Sequence, residues 1–349
     1  MKQQKPTLNQ LKWYENQIFN CKTLEEISVL LNCSKNELLL HSYNPEYYQF
    51  SIPKKSGTFR IIEAPNESLK RLQRNLNQYL QAVYYLNQSV CSYGYVISIL
   101  GEKQTKNIYT NATQHLAKPF MLNTDFKDFF HQIKIDDVTQ IFKSEFFNFD
   151  IYTATTLAKL CCYKDRLPMG TPTSPVLSNL YTLKLDNELL QWAKKHNTSY
   201  TRFVDDLTFS SVTTSFSPLH FKQINEIALR HKLNFNEEKT RYLNSDDIKT
   251  VTGLVLNTTV DIDNAYYLEL GKDLIRLKNV MEVYYITGKT HIITFLKTFK
   301  QELFGKINFI GTIEGRNSKQ FLNYLNLFYN ALEPDTDLVQ RWTKFSNYV

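Results

Sequence analysis

No stretch of this 349-residue chain approaches the run of about 20 apolar residues that a membrane span needs. The opening MKQQKPTLNQ is polar where a signal peptide would carry an apolar segment. Both features point to a cytoplasmic protein with no membrane attachment. Cysteine is scarce: there are five, an odd number, and no CxxC spacing suggests a metal or redox site. Reduced, buried thiols are the expectation. Charge of one sign is not in large excess either, since 41 Lys+Arg against 34 Asp+Glu leave +7, a balance that permits a polyanionic partner without requiring one. No internal repeat or low-complexity linker is visible. Apolar and aromatic residues, at 42% and 14%, are plentiful enough to fill a sizeable core, which argues against disorder.

Residues 7–45 read as a small helical unit, with Thr23 and Glu26, then Ser34 and Glu37, at the spacing of capping boxes. In YYQFSIPKKSGTFRIIEAP two short strands flank a basic turn, and Pro65 ends the second. A helix follows with Leu69, Leu72, Leu76 and Leu80 on one stripe and Lys70, Arg71 and Arg74 off it, a pattern that suits a solvated basic face, with phosphate contact as the alternative. PFMLNTDFKDFFHQI reads as a buried strand interrupted by Asp125 and Asp128. Ser174 as N-cap and Pro175 at the first helical position open a helix of about 22 residues. Ser217 and Pro218 open another, and short strands at KTRYL and KTVTGLVLN follow it. From Gly271 onward the chain reads helical, with a break at GKINFIGTIEGRN. The order of elements is an α+β pattern.

The sharpest local feature is FVDD, Phe203 to Asp206, between the strand-like stretches SYTR and LTFSS. On a regular strand Asp205 would lie in an apolar row with Phe203, Leu207 and Phe209, at a cost of several kcal/mol. A tight hairpin turn instead carries both carboxylates out at its tip. Asp125, on another buried-looking strand, could supply a third. Three crowded carboxylates repel unless cations neutralise them, and hard oxygen donors suit Mg²⁺. Two such ions can activate a hydroxyl and stabilise a leaving pyrophosphate. A solvated loop is the plainer account of a lone DD pair. LPMGTPTSPVLSN, residues 167–179, adds company: Gly170 permits close backbone approach to a ligand, and a helix N-terminus follows.

Taken in order, NTDFKDFF, LPMGTPTSPVLSN, FVDD, NEEKT and VTGLVLN resemble the palm blocks of reverse transcriptases, specifically the bacterial retron type. IPKKSGTFRIIEAP and SLKRLQ resemble its fingers, and GKINFIGTIEGRN its thumb entry. The resemblance covers roughly residues 45–330. It implies a right-hand polymerase: N-terminal helical extension 1–44, fingers 45–118, palm 119–268 with fingers elements around 135–165, and helical thumb 269–349.

Carried over residue by residue, the resemblance makes Asp125, Asp205 and Asp206 the metal-binding triad for two Mg²⁺ ions, with the Phe126 carbonyl as a further ligand. Phe130 matches the aromatic gate against a ribose 2′-hydroxyl. Its alternative is core packing, since Phe129 and Phe130 cannot both face inward on a strand. Lys54 and Arg60 match residues that hold the incoming deoxynucleoside triphosphate, with Met169 and Gly170 beside it; surface charge is the alternative for the two cations. Lys239 matches a lysine that protonates pyrophosphate, and a solvated side chain is its alternative. Phe203, Val204 and Gly253 match primer- and template-contacting positions. Met169 stands where the family usually has glutamine, and FVDD where retron enzymes commonly have YADD. The first change replaces a hydrogen-bonding side chain by a flexible apolar one, which bears on fidelity and nucleotide choice.

The resemblance further implies a cognate structured non-coding RNA as template and primer, a single-stranded DNA product, a role in anti-phage defence and a separate effector protein, since no further domain is readable after the thumb. Lys297, Lys300 and Lys306, among aromatics, offer a candidate RNA-binding face. A different bacterial defence reverse transcriptase and a catalytically idle RNA-binding scaffold are the competing readings. Three retained acidic residues argue against the scaffold.

Overall fold

The computed structural model describes residues 5–53, 57–287 and 293–333. It divides into two compact units, 1–252 and 253–349.

The first unit opens with three short helices, α1 (Leu8–Asn20), α2 (Leu24–Leu30) and α3 (Lys35–Tyr43). Thr23 and Glu26 close a complete capping box, whereas Ser34 caps the Glu37 amide without the reciprocal bond. Strands β1 (Tyr47–Pro53) and β2 (Phe59–Pro65) pair antiparallel as the basic hairpin, and Pro65 ends β2 as its sequence implies. Helix α4 (Glu67–Asn87) buries Leu69, Leu72, Leu76 and Leu80 completely. Of its basic residues Arg71 departs from a purely solvated role. Arg71 binds Glu37 and the Asn32 carbonyl, so it fastens the N-terminal helices, while Lys70 and Arg74 both reach Glu67.

Next come α5 (Ile108–Thr113), β3 (Phe120–Asp125), the single turn α6 (Phe129–Gln132), α7 (Ile135–Lys143) and α8 (Ile151–Cys161). The turn of helix at α6 overturns the expectation that Phe129 and Phe130 alternate: helical spacing lets both rings be buried, at 3% and 9% exposure. The expected long helix is two, α9 (Ser174–Tyr181) and α10 (Leu183–Lys195), broken at Thr182. The Thr182 hydroxyl turns back onto the Ser178 carbonyl, a bond that competes with regular helix. Thr173, not Ser174, is the N-cap. The Ser174 hydroxyl donates instead to the Pro168 carbonyl at 2.7 Å, which closes the preceding loop.

Strands β4 (Ser199–Phe203) and β5 (Asp206–Ser211), helix α11 (Pro218–Arg230), β6 (Arg241–Leu243) and β7 (Lys249–Val251) complete this unit. Ser217 and Pro218 start α11 as read from the sequence. The antiparallel sheet runs β4-β5-β3-β6. Its registers put Leu122, Leu207 and Phe209 on one face, continuous with the core that α4 and α7 to α11 build. Met121, Asn123 and Asp125 face the other way, as do Asp206 and Thr208. All five cysteines are free thiols, four of them buried.

The second unit pairs β8 (Leu254–Leu256) with β9 (Val260–Ile262) and continues through α12 (Asn264–Thr287), α13 (Ile293–Ile313) and α14 (Lys319–Leu332). Helix begins earlier than Gly271, and α13 runs straight through Gly305 and Gly311; only Gly315, at φ +93°, breaks it. Leu270, Leu274, Leu277 and Met281 line the buried stripe of α12. Among the described residues no helix is long and apolar enough to cross a membrane.

Candidate active site

The FVDD stretch is a two-residue hairpin turn: β4 ends at Phe203, β5 starts at Asp206, and the two are paired across it. Val204 takes φ +62° to make the turn. For a β-branched residue this left-handed conformation is an outlier, costing roughly 1–3 kcal/mol. The strain has an effect on geometry. Asp206 sits directly opposite Asp125 in the β3–β5 register, so both side chains leave the same face at the sheet's end, with Asp205 at the tip. The Asp205 carbonyl accepts the Phe126 amide at 3.0 Å, and the Asp125 carbonyl accepts the Asn236 amide at 2.8 Å. Three chain segments are thereby tied around the carboxylates.

These groups line a cleft of about 850 Å³. Arg60 and Ile62 of β2 form one wall, with Met169 and Gly170 beside them, while Phe126 and Phe130, then Phe203 and Val204, form others. Lys239 enters from the segment after α11, and its Nζ holds Asp125 Oδ2 at 2.7 Å. Its ammonium is therefore held in the protonated form, first by that hydrogen bond. Gly170 explains why its loop can come so close: at φ +120°, a Cβ there would stand 2.7 Å from Ile62 Cγ2 and 3.1 Å from the Glu63 carbonyl. The β2 strand is clamped to this loop, since the Glu63 amide donates to the Met169 carbonyl at 2.7 Å and Arg166 grips the buried Glu63 carboxylate at 2.7 and 3.0 Å.

Charge in the cleft is unevenly met. Asp125 is 8% exposed and has Lys239. Asp205 is raised above its ordinary value, by desolvation and then by Asp125, with Arg60 and Lys239 opposing. Asp206 opens onto the cleft yet is walled by protein on its other sides. It is pushed up to about 7, by desolvation first and then by Asp205 and Asp125. Such a carboxylate favours the folded state at low pH and loses that contribution as pH rises from its ordinary 3.8 through about 7. In protein free of divalent cations, the fall in Tm between about pH 5 and pH 8 should therefore be shallower in Asp206→Asn than in the wild type. Adding a divalent cation should flatten the wild-type slope. Identical slopes by calorimetry would show that the carboxylates do not strain one another.

Eleven of the residues singled out in the sequence thus meet in one cleft: Arg60, Asp125, Phe126, Phe130, Met169, Gly170, Phe203, Val204, Asp205, Asp206 and Lys239. Lys54 lies outside the described residues. Gly253, at φ +81° after Thr252 at +50°, belongs to the second unit, as do Lys297, Lys300 and Lys306 on α13. Lys297 is exposed and Lys300 half-buried, but Lys306 binds Asp273 at 2.7 Å, so its charge is already matched. Sequence reading missed Tyr95, which lines the cleft with φ +55° and half its surface exposed. Nothing in YGYV marks it. It also missed Arg202, although an arginine inside the strand SYTRF is itself a signal that a buried carboxylate waits nearby.

Residues 52–279, more than half of the chain, match the reverse transcriptase (RNA-dependent DNA polymerase) family, and the chain belongs to it. Within that family it is of the bacterial retron type. It is 29% identical over 296 residues to the retron Ec86 reverse transcriptase of Escherichia coli, covering 83% of each chain. It is also 29% identical over 269 residues to the retron Mx65 reverse transcriptase of Myxococcus xanthus, covering 69% of this chain and 60% of that one. A telomerase structure from Candida albicans aligns over 85% of this chain and 63% of its own, with a TM-score of 0.46 and 12% identity. The reverse transcriptase match makes the fold α+β, a right-hand polymerase, and α1 to α3 form a short N-terminal helical extension before it. Reverse transcriptases use divalent metal ions.

Proposed function

We propose that this protein copies part of a cognate structured non-coding RNA into single-stranded DNA, by metal-assisted phosphoryl transfer at Asp125, Asp205 and Asp206. The observation that carries the reading is the register: Asp125 opposite Asp206 with Asp205 at the adjoining turn, in a cleft that also holds Arg60 and Lys239. Among the described residues no three acidic, histidine or cysteine side chains form a group that could hold a metal ion. The case for Mg²⁺ rests on the donors' chemistry, hard carboxylate oxygens opening onto a cleft, where the ion would keep several waters and share substrate phosphates. Asp125, Asp205 and Asp206 would hold two such ions, with the Phe126 carbonyl assisting. Bound there, Mg²⁺ supplies activation of the primer hydroxyl and stabilisation of the leaving pyrophosphate.

The chain's own residues do the rest. Arg60 offers a cation to the triphosphate, and Lys54 of the sequence KKSG is proposed as a second. Protonated Lys239, which lines the cleft, would give a proton to the leaving group in this reading. Phe130 closes the space under the sugar. Met169 offers the nucleotide an apolar contact, and Phe203 and Val204 contact the primer end; Gly253, in the second unit, is proposed separately as a primer contact. Residues 45–118, 119–268 and 269–349 serve as fingers, palm and thumb. Lys297 and Lys300 are the thumb cations proposed for RNA, since Lys306 is engaged by Asp273. A cytoplasmic role in phage defence alongside a separate effector protein is the further part of this proposal, taken from the family resemblance of the sequence motifs.

Two measurements test this. Purified protein with deoxynucleotides and a divalent cation should extend a DNA primer on an RNA template, and should label its co-purifying RNA without added primer. No synthesis on any RNA template would overturn the reading. Phe130→Ala should then raise ribonucleotide over deoxynucleotide incorporation by roughly tenfold or more in direct competition. An unchanged ratio would assign the ring to core packing alone.

A further inference from the structure

Strand parity turns Arg202 away from the carboxylate face, beside Tyr200 and opposite Leu207, where its side chain is wholly buried. A guanidinium in such a place needs partners for its donors. Nε and Nη2 donate to the two oxygens of Asp186 at 2.8 and 2.7 Å. Nη1 donates to the Val204 carbonyl at 2.9 Å and to Asn179 Oδ1 at 3.2 Å, and Nη2 reaches Ser92 Oγ at 3.2 Å. The backbone adds two more ties: the Arg202 amide donates to the Cys91 carbonyl, and the Tyr93 amide donates to the Arg202 carbonyl, both at 2.8 Å.

Burying an arginine beside an aspartate does not require the bond to Val204. That carbonyl belongs to the left-handed residue on which the turn depends. The same turn is pressed from outside by Gly94, where a Cβ would stand 2.6 Å from Val204 Cγ2 and 2.7 Å from its amide nitrogen. Gly94 is itself held, because Asn179 Nδ2 donates to its carbonyl at 2.9 Å. One cation therefore joins the turn to α9, to α10 and to the segment that leads into Tyr95. None of Arg202, Asp186 and Asn179 lines the cleft.

We infer that Arg202 is a positioning residue for the carboxylate turn: with Asp186 and Asn179 it fixes the Val204 carbonyl, and through it the reach of Asp205 and Asp206. The inference rests on the polymerase reading above and adds to it the device that holds the strained turn in place. A buried ion pair replaced as a whole by apolar residues of similar volume is commonly tolerated by the fold. The double variant Arg202→Met, Asp186→Leu therefore separates positioning from folding.

In that variant kcat for deoxynucleotide addition on a primed RNA template should fall roughly 10- to 100-fold, because small misplacements at the chemistry are costly. KM for the nucleotide should change little, Tm should stay near the wild type, and hydrogen exchange should quicken in the peptide spanning Phe203 to Leu207 but not in β3. Wild-type kcat with unchanged exchange at the turn would overturn the inference. So would a loss of kcat accompanied by faster exchange across the whole sheet, which would make Arg202 a fold staple only. If the double variant does not fold, Arg202→Lys decides: it keeps a charge against Asp186 without the second nitrogen that reaches Val204, and wild-type kcat there is equally fatal. Should the wild-type protein itself make no DNA on RNA, the polymerase reading fails, and the exchange data still judge the positioning.

Discussion

Asp205→Asn is expected to lower nucleotide incorporation by roughly 1,000-fold while leaving the protein at least as stable as the wild type. The two effects have one cause. Asp205 stands at the hairpin tip in the company of Asp125 and Asp206, and desolvation and Asp125 already raise its carboxyl above the ordinary value. Neutralising it relieves repulsion in the free protein. The backbone bond from the Phe126 amide to the Asp205 carbonyl is untouched, so the turn keeps its anchor. What disappears is one of the charges proposed to hold the metal ions, a contribution that matters most where charge develops in the transition state. Stability gained together with activity lost is the signature of a group kept for chemistry. Single-nucleotide extension and scanning calorimetry check it on the same sample. Incorporation at the wild-type rate removes the metal assignment, and a fall in Tm makes Asp205 a structural residue.

The carboxylate site was legible because each of its residues violates a local rule. Two acids in an apolar hairpin and one at the end of a buried strand leave few arrangements open, and the β3–β5 register realises one of them. Helix starts were legible where the capping residue precedes an apolar stripe, as at Thr23 and Ser217. Ser174 failed for a reason that sequence alone does not expose: its hydroxyl has a nearer acceptor, the Pro168 carbonyl, in the loop it was expected to leave behind. The Phe129–Phe130 pair failed because a strand was assumed to continue past Asp125, whereas Asp128 at φ +45° turns the chain into α6. Arg71 read as part of a solvated face because its partner Glu37 is distant in sequence, whereas Lys70 and Arg74 keep to that face beside Glu67. Tertiary pairing of charges is the part that a single chain read in order does not reveal.

Arg202 shows how large that hidden part can be, and Arg202→Ala should be the most destabilising single substitution among those considered. Its side chain and that of Asp186 are both fully buried. Burial alone would drive the guanidinium toward its neutral form; the charge of Asp186 and its hydrogen bonds more than reverse this, and the net shift is upward. Removing the arginine strands a buried carboxylate whose remaining described contact is the Tyr200 hydroxyl at 3.1 Å. The cost expected for such an unmatched charge is about 3–5 kcal/mol. For a chain of this size that corresponds to a fall in Tm of roughly 10 °C. Asp186→Ala should cost a similar amount from the other side, and combining the two should recover much of the loss, because neither charge is then left alone. Strictly additive losses in this cycle, measured by denaturant unfolding of all four proteins, would mean that the pair is not coupled. The turn would then have to be held by Gly94 and the β4–β5 pairing without the guanidinium.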